Sequence, residues 1–81
     1  MLLPDKHIRL SESLLGLGSF LLGLIRNPVT VDDIWLEYRK ARDSGAFPAH
    51  HTFENVVLAL DVLFTIGAID VQADGLIKKC A

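Results

Sequence analysis

The chain has 81 residues, which is enough for one small domain with one hydrophobic core. Apolar residues make up 51% of it, a composition that argues against disorder. The net charge is −2, with ten acidic residues against eight lysines and arginines, and this lacks the strongly basic balance of a nucleic-acid-binding domain. We therefore expect a single domain over residues 1–81, with some apolar surface left for a partner.

The cysteine content and the lengths of the apolar segments indicate the cellular location of the protein. The single cysteine, Cys80, excludes an internal disulfide and a cysteine zinc cluster, and it favours a reducing, cytoplasmic location. The longest apolar stretch, residues 14–25, is 12 residues long, against the ~20 that cross a bilayer. We predict no association with membranes.

The first predicted helix begins after Ser11 or Ser13, both suitable N-caps, and runs to about Arg26, before an Asn-Pro pair. Apolar residues lie almost all round it, which predicts burial on most sides. Its glycines predict the close approach of a neighbouring backbone, since each one weakens the helix by about 1 kcal/mol relative to alanine. These glycines are Gly16, Gly18 and Gly23.

The second and third helices have clear start and stop signals. Thr30 is the predicted N-cap of the second helix, with Asp33 at the capping-box position, and Gly45 ends that helix. Thr52 caps the third helix, which runs to about Ile66 and ends at Gly67. The intervening residues, 44–51, form a loop.

The C-terminal segment, residues 68–79, predicts a β-hairpin. Asp74-Gly75 is a strong signal for a two-residue type I′ turn between apolar strands. Such a turn sets the register of the two strands. The predicted opposite pairs are Asp70 with Lys79 and Val71 with Lys78.

The order helix, extended piece, helix, helix and hairpin is that of a winged helix. We predict an α+β, mostly helical, winged-helix-like domain with three helices and a C-terminal β-hairpin wing. A helix-turn-helix joins its helices by a turn of 3–4 residues. About eight residues intervene here, so we expect an altered recognition geometry.

The outer face of the third helix is acidic rather than basic. At ~100° per residue, four side chains fall on one narrow stripe. They are Glu54, Leu58, Asp61 and Thr65. Carboxylates repel phosphate, and this stripe offers none of the usual base-reading donors. The stripe is either an ordinary solvated surface or a contact for another protein.

Basic residues occur at the end of the second helix and on the predicted wing. A wing can contact the phosphate backbone, which makes a winged-helix DNA-binding regulator the alternative function. The simpler explanation is complementation of the helix dipole and solubility. The residues concerned are Arg39, Lys40, Arg42, Lys78 and Lys79.

No metal, cofactor or catalytic site is expected. His50 and His51 are adjacent, so they point in different directions, and a third ligand would have to come from His7 or Cys80. Loop packing or capping is the simpler role for this pair. Recognisable catalytic motifs are absent, and a domain this small has little room for a pocket, so we expect no enzyme.

Three segments carry a resemblance to a known family. They are "LPDKHIRLSESLLGLGSFLLGLI" (3–25), "TVDDIWLEYRK" (30–40) and "FPAHHTFENVVLALDVLFTIGAID" (47–70). Together they resemble the small middle components of bacterial ABC-three-component systems, most closely middle component six. The resemblance covers nearly the whole chain.

The resemblance implies a non-catalytic adapter subunit in an anti-phage or anti-plasmid defence system. Its implied partners are an SMC-like or Rad50-like ABC ATPase and an effector protein. We expect the stripe on the third helix to make the contact, with an N-terminal arm adding a possible strand. The arm residues are Lys6, His7, Ile8 and Arg9. A homodimer is possible when the chain is isolated, and direct contact with nucleic acid is not expected.

Overall fold

Three helices and a terminal hairpin form the part of the chain that the computed structural model describes, residues 13–80. This order confirms the predicted winged-helix-like fold, which is mostly helical and ends in a two-stranded wing. The elements are α1 (Leu14–Leu24), α2 (Val31–Asp43), α3 (Phe53–Thr65), β1 (Ile69–Val71) and β2 (Ile77–Lys79).

Side-chain caps begin all three helices. Ser13 and Thr52 each accept a hydrogen bond from the backbone N–H three residues further on, at 2.9 and 3.1 Å. Thr30 and Asp33 form a complete capping box, because each side chain accepts from the other residue's N–H, at 3.1 and 3.2 Å. These bonds satisfy N–H groups that have no partner within the helix. The predicted caps are confirmed, with Ser13 rather than Ser11 at α1.

Glycines in the left-handed region end the second and third helices, as predicted. Gly45 follows α2 with φ +82° and Gly67 follows α3 with φ +79°. After α3, the N–H of Ala68 donates to the carbonyl of Leu63 at 2.8 Å, and the N–H of Gly67 donates to Phe64 at 3.1 Å. This pair of bonds is a Schellman motif, and it turns the chain directly into β1.

The first helix packs mainly on α3. It is buried or half-buried everywhere except at Leu15, Ser19 and Gly23, which lie on one stripe. Burial on most sides is therefore confirmed. A Cβ at Gly18 would lie 3.5 Å from the Leu63 side chain, so this glycine faces α3 at ordinary contact distance. Around Gly23 the space is open, and the close approach predicted there is wrong.

Every element contributes to a single core, and so does the loop between α2 and α3. Tyr38, Leu17, Leu21 and Val56 have no exposed surface at all. Their burial removes large apolar groups from water, which is the main favourable term in folding. The other buried apolar residues are Ile25, Ile34, Phe47, Ala49, Ala59, Leu60, Leu63, Ile69 and Ile77.

The hairpin register differs by one residue from the prediction. Gln72 N–H donates to the Leu76 carbonyl at 2.8 Å, so the loop has three residues and ends in Gly75 at φ +86°. Three-residue loops of this kind end in a left-handed residue, whereas the prediction assumed a two-residue turn. The observed pairs are Ile69 with Lys79, Asp70 with Lys78 and Val71 with Ile77. Asp70 therefore lies opposite Lys78 rather than Lys79, and Val71 opposite Ile77 rather than Lys78.

Val29 connects the hairpin to the start of α2. It exchanges two backbone hydrogen bonds with Ile77, at 2.9 and 2.7 Å, in an isolated antiparallel bridge. The segment before α2 is thus extended, as predicted, and β2 lies between β1 and Val29. This bridge holds the wing at the N-terminal end of α2.

The loop between α2 and α3 is packed into the core. Phe47, Ala49 and His51 are buried, and the Phe47 ring lies 4.5 Å from that of Phe20. The Tyr38 hydroxyl donates to the Ala49 carbonyl at 2.8 Å and accepts from the His51 N–H at 2.7 Å. The connection is longer than the turn of a helix-turn-helix, and these contacts determine where α3 begins.

Candidate functional site

The four residues predicted on the outer face of α3 lie on one exposed surface. We call Glu54, Leu58, Asp61 and Thr65 the outer stripe, and all four are exposed. The Leu58 side chain is 49% exposed at the centre of the stripe. Thr65 donates its hydroxyl to the Asp61 main-chain carbonyl at 2.8 Å, so that donor is used within the helix.

Within residues 13–80, no cation forms an ion pair with the carboxylates of the outer stripe. The ion pairs formed within residues 13–80 join Lys40 to Glu37 and Arg42 to Asp43, both on α2. Helix α3 itself contains no lysine or arginine. Glu54 and Asp61 therefore leave a local excess of negative charge on this face.

Apolar side chains flank the outer stripe, and the sequence reasoning missed their exposure. Phe64 is 52% exposed and Ile66 is 67% exposed, while Phe53 is also exposed at the start of the helix. The sequence prediction placed only Glu54, Leu58, Asp61 and Thr65 on the outer face of α3. A signal was available, since α3 carries more apolar residues than one buried face needs. Only Val56, Ala59, Leu60 and Leu63 are buried.

Two apolar grooves run along the sides of the outer stripe. The hairpin groove, of about 300 Å³, lies between α3 and the wing, and Val57, Phe64 and Val71 are among its lining residues. The α1 groove, of about 390 Å³, lies between α3 and the start of α1. Asp61 lines both grooves. The outer stripe is thus a ridge between two apolar depressions.

The basic residues proposed for the DNA alternative form two separate groups. Arg39, Lys40 and Arg42 lie in the last turns of α2, and Lys78 and Lys79 lie exposed on β2. The Val29–Ile77 bridge holds β2 at the opposite end of α2. At 1.5 Å per residue, α2 extends roughly 12–17 Å from its first residue to the three basic residues in its last turns.

The basic residues on α2 also have local contacts. Lys40 lies 3.5 Å from Glu37, and Arg42 lies 3.4 Å from Asp43. The Arg42 guanidinium is also 5.9 Å from the centre of the Tyr38 ring, a cation–π distance. This favours the simpler role of these residues at the C-terminal end of the helix.

The two adjacent histidines have different surroundings. His50 is exposed, whereas His51 is buried and its Nδ1 lies 3.2 Å from the side-chain amide of Asn55. His51 is thus part of the loop packing against Tyr38, which was the simpler of the two roles considered. Across residues 13–80, no three His, Cys, Asp or Glu side chains converge as metal ligands would.

Two further predictions concern the N-terminal arm and membrane association. The proposed arm, Lys6, His7, Ile8 and Arg9, lies outside the described residues. Within the range that is described, none of the helices has the length and apolar character needed to cross a membrane. Cys80 follows β2 and is exposed.

Comparison with known proteins agrees with the resemblance in the sequence. No curated protein and no solved structure shows a significant match to this chain. One family model does match, and it covers residues 3–80, which is nearly the whole chain and includes every element described above. The chain belongs to the family described as ABC-three component (ABC-3C) system Middle Component 6.

Proposed function

We propose that this protein is a non-catalytic adapter subunit that links an SMC/Rad50-like ABC ATPase to an effector protein in bacterial defence against phages and plasmids. Membership of the family makes it a middle component, which works with the other components of its system. The observation that supports the adapter role is the outer face of α3. It is exposed, apolar and negatively charged at the position where a DNA-binding winged helix would carry basic residues.

A protein partner suits this face better than a nucleic acid. Glu54 and Asp61 repel phosphate, and the outer stripe has no arginine, lysine, asparagine or glutamine to contact base edges. Removing the exposed Leu58, Phe64 and Ile66 side chains from water favours association, by about 25 cal/mol per Å² of apolar surface before the costs of association are subtracted. Large exposed apolar patches on small proteins are typical of interaction sites.

Co-purification with the products of the neighbouring genes tests the proposal. We expect a tagged copy of this chain, co-expressed with them, to elute with an ABC ATPase and with an effector in one complex. Mass spectrometry of the eluted complex identifies the components. If this chain elutes alone while an ATPase encoded beside it folds and remains soluble without it, the adapter role is wrong.

A further inference from the structure

We infer that the hairpin side of α3 binds an amphipathic helix of another component, with two basic residues on that helix placed against Glu54 and Asp61. This inference rests on the proposed function, because it specifies the chemistry of the partner segment. It concerns an apolar track along α3 that is made of two adjoining depressions. The two depressions are the hairpin groove and a shallow depression at the start of the helix.

The shape of the track matches a helix lying along α3. Phe53, Glu54, Val57 and Leu58 line the shallow depression, of about 300 Å³. Val57 also lines the hairpin groove, so the two depressions adjoin at this residue on the same side of α3. With 13 residues, α3 is roughly 20 Å long, which is enough to hold three to four turns of a second helix.

The residues along the track match an apolar stripe on the partner. Phe64 and Val71 are about half exposed on the two sides of the hairpin groove, and Leu60 and Ile77 are buried at its base. Amphipathic helices insert side chains spaced three and four residues apart into grooves of this kind. The apolar contacts account for affinity but do not select one helix over another.

The acidic residues at the edge of the track provide specificity for one kind of partner helix. Glu54 and Asp61 are seven residues apart, which is about two turns or ~10 Å along α3. Both are exposed, and no lysine or arginine of residues 13–80 forms an ion pair with either. A partner helix with two lysines or arginines about two turns apart, beside its apolar stripe, complements this face in charge and spacing.

Two other occupants fit the same surface less well. A second copy of this chain would bring its own Glu54 and Asp61 to a face that is already negative, and like charges in contact disfavour pairing. An added β-strand would need the free edge of β1, which has three residues. The Val71 N–H there already donates to the Asp70 carboxylate at 3.0 Å.

Site-specific cross-linking identifies the occupant directly. We would place p-benzoylphenylalanine at Phe64 in the co-expressed complex, irradiate it, and sequence the attached peptide. The matched control carries p-benzoylphenylalanine at position 36 instead, in place of Leu36 on the exposed side of α2. We expect position 64 to attach to another component. The attached peptide should have helical apolar spacing and two basic residues about two turns apart.

Other cross-linking results would overturn the inference. These are attachment to a second copy of this chain, to nucleic acid, or to a peptide with acidic residues or strand-like alternation. A complex in which position 36 cross-links and position 64 does not would also overturn it.

Charge reversal tests the electrostatic part independently. Asp61→Lys is expected to raise the dissociation constant of the complex at least about tenfold, because close charge pairs at interfaces are strongly coupled. Glu37→Lys, the same change on α2, should leave it unaltered. A lysine-to-glutamate change in the cross-linked peptide should restore binding to the Asp61→Lys variant.

The outcomes separate this inference from the proposed function. If the wild-type chain does not co-purify with other components, the proposed function is wrong and the inference falls with it. If the wild-type complex forms but Asp61→Lys binds as tightly as Glu37→Lys, only the inference is wrong. Circular dichroism of both variants confirms that the helices are retained.

Discussion

Tyr38 joins α2 to the loop before α3 through one hydroxyl group. Its oxygen accepts from the His51 N–H and its hydrogen bonds the Ala49 carbonyl, both in the core. Its ring is also packed edge-on against that of Phe47, with the centroids 5.9 Å apart. One residue thus anchors a loop that has no regular secondary structure and determines where the third helix begins.

Tyr38→Phe should destabilise the domain while keeping its fold. Phenylalanine retains the ring but removes the hydroxyl that two buried backbone groups contact, and such a loss costs about 1–3 kcal/mol. Urea unfolding followed by circular dichroism measures the change. His50→Ala, at the exposed neighbour of the same loop, should change the free energy of unfolding by less than about 0.5 kcal/mol. Equal stability of the two variants would show that the hydroxyl contributes nothing.

Leu58→Arg should weaken the complex without affecting the fold. The side chain is at the centre of the outer stripe, and a charge there would have to be buried against the partner. Burying an unpaired arginine at the centre of the interface should cost at least about 2 kcal/mol of binding. Leu36→Arg is the control, because Leu36 is also 49% exposed but lies on α2. If the two variants bind equally well in a pull-down titration, the contact surface lies elsewhere.

Local sequence determines where the helices begin and end, and packing determines their positions. Caps at Thr30 and Thr52 and glycines at 45 and 67 define the limits of α2 and α3 within one or two residues. The glycines of α1 have different surroundings. Gly18 faces α3, whereas Gly23 faces open space and serves no packing purpose that the structure reveals.

Gly23→Ala should therefore stabilise the domain. Position 23 is helical and exposed, nothing lies within 4 Å of an added Cβ, and alanine favours the helix by roughly 0.5–1 kcal/mol. The melting temperature should rise by a few degrees, since 1 kcal/mol corresponds to about 4–8 °C in a domain of this size. Gly67→Ala is the opposite case, because its φ of +79° strains any residue with a Cβ. It should lower the melting temperature, and a rise in both variants would contradict this account.

At the scale of the whole molecule, the charge distribution within residues 13–80 disfavours DNA binding. The basic residues considered for DNA binding are divided between the C-terminal end of α2 and β2. Two of those on α2, Lys40 and Arg42, already contact Glu37, Asp43 or Tyr38. The face where a recognition helix would read bases is acidic and apolar. Within residues 13–80, the two basic groups considered for DNA binding therefore lie on different elements, which disfavours the neutralisation of several phosphates at once.

We expect the isolated chain to show no affinity for duplex DNA, even at about 50 mM salt, where phosphate contacts are strongest. Fluorescence anisotropy with a labelled duplex measures this directly. Binding that falls steeply with salt and disappears in a Lys78→Ala, Lys79→Ala double variant would favour the DNA-binding regulator instead. The Arg39→Ala variant distinguishes a contribution from the other basic group.

The sequence alone determined the element order, the helix caps and the absence of basic residues on α3. These depend on residues within about four positions of one another, or on identity alone, so no tertiary contact is needed to predict them. The family resemblance was equally a property of the sequence, and the family match over residues 3–80 confirms it.

Only the tertiary structure decided the hairpin register, the place of His51 and the exposure around the outer stripe. A turn of two or three residues is compatible with the same Asp-Gly pair, and the buried positions of Ile69 and Ile77 accompany the three-residue form. Whether Phe64 and Ile66 are buried depends on where α1 and the wing pack against α3. Helical periodicity alone does not predict that packing. The apolar grooves, and with them the candidate site, arise from that packing.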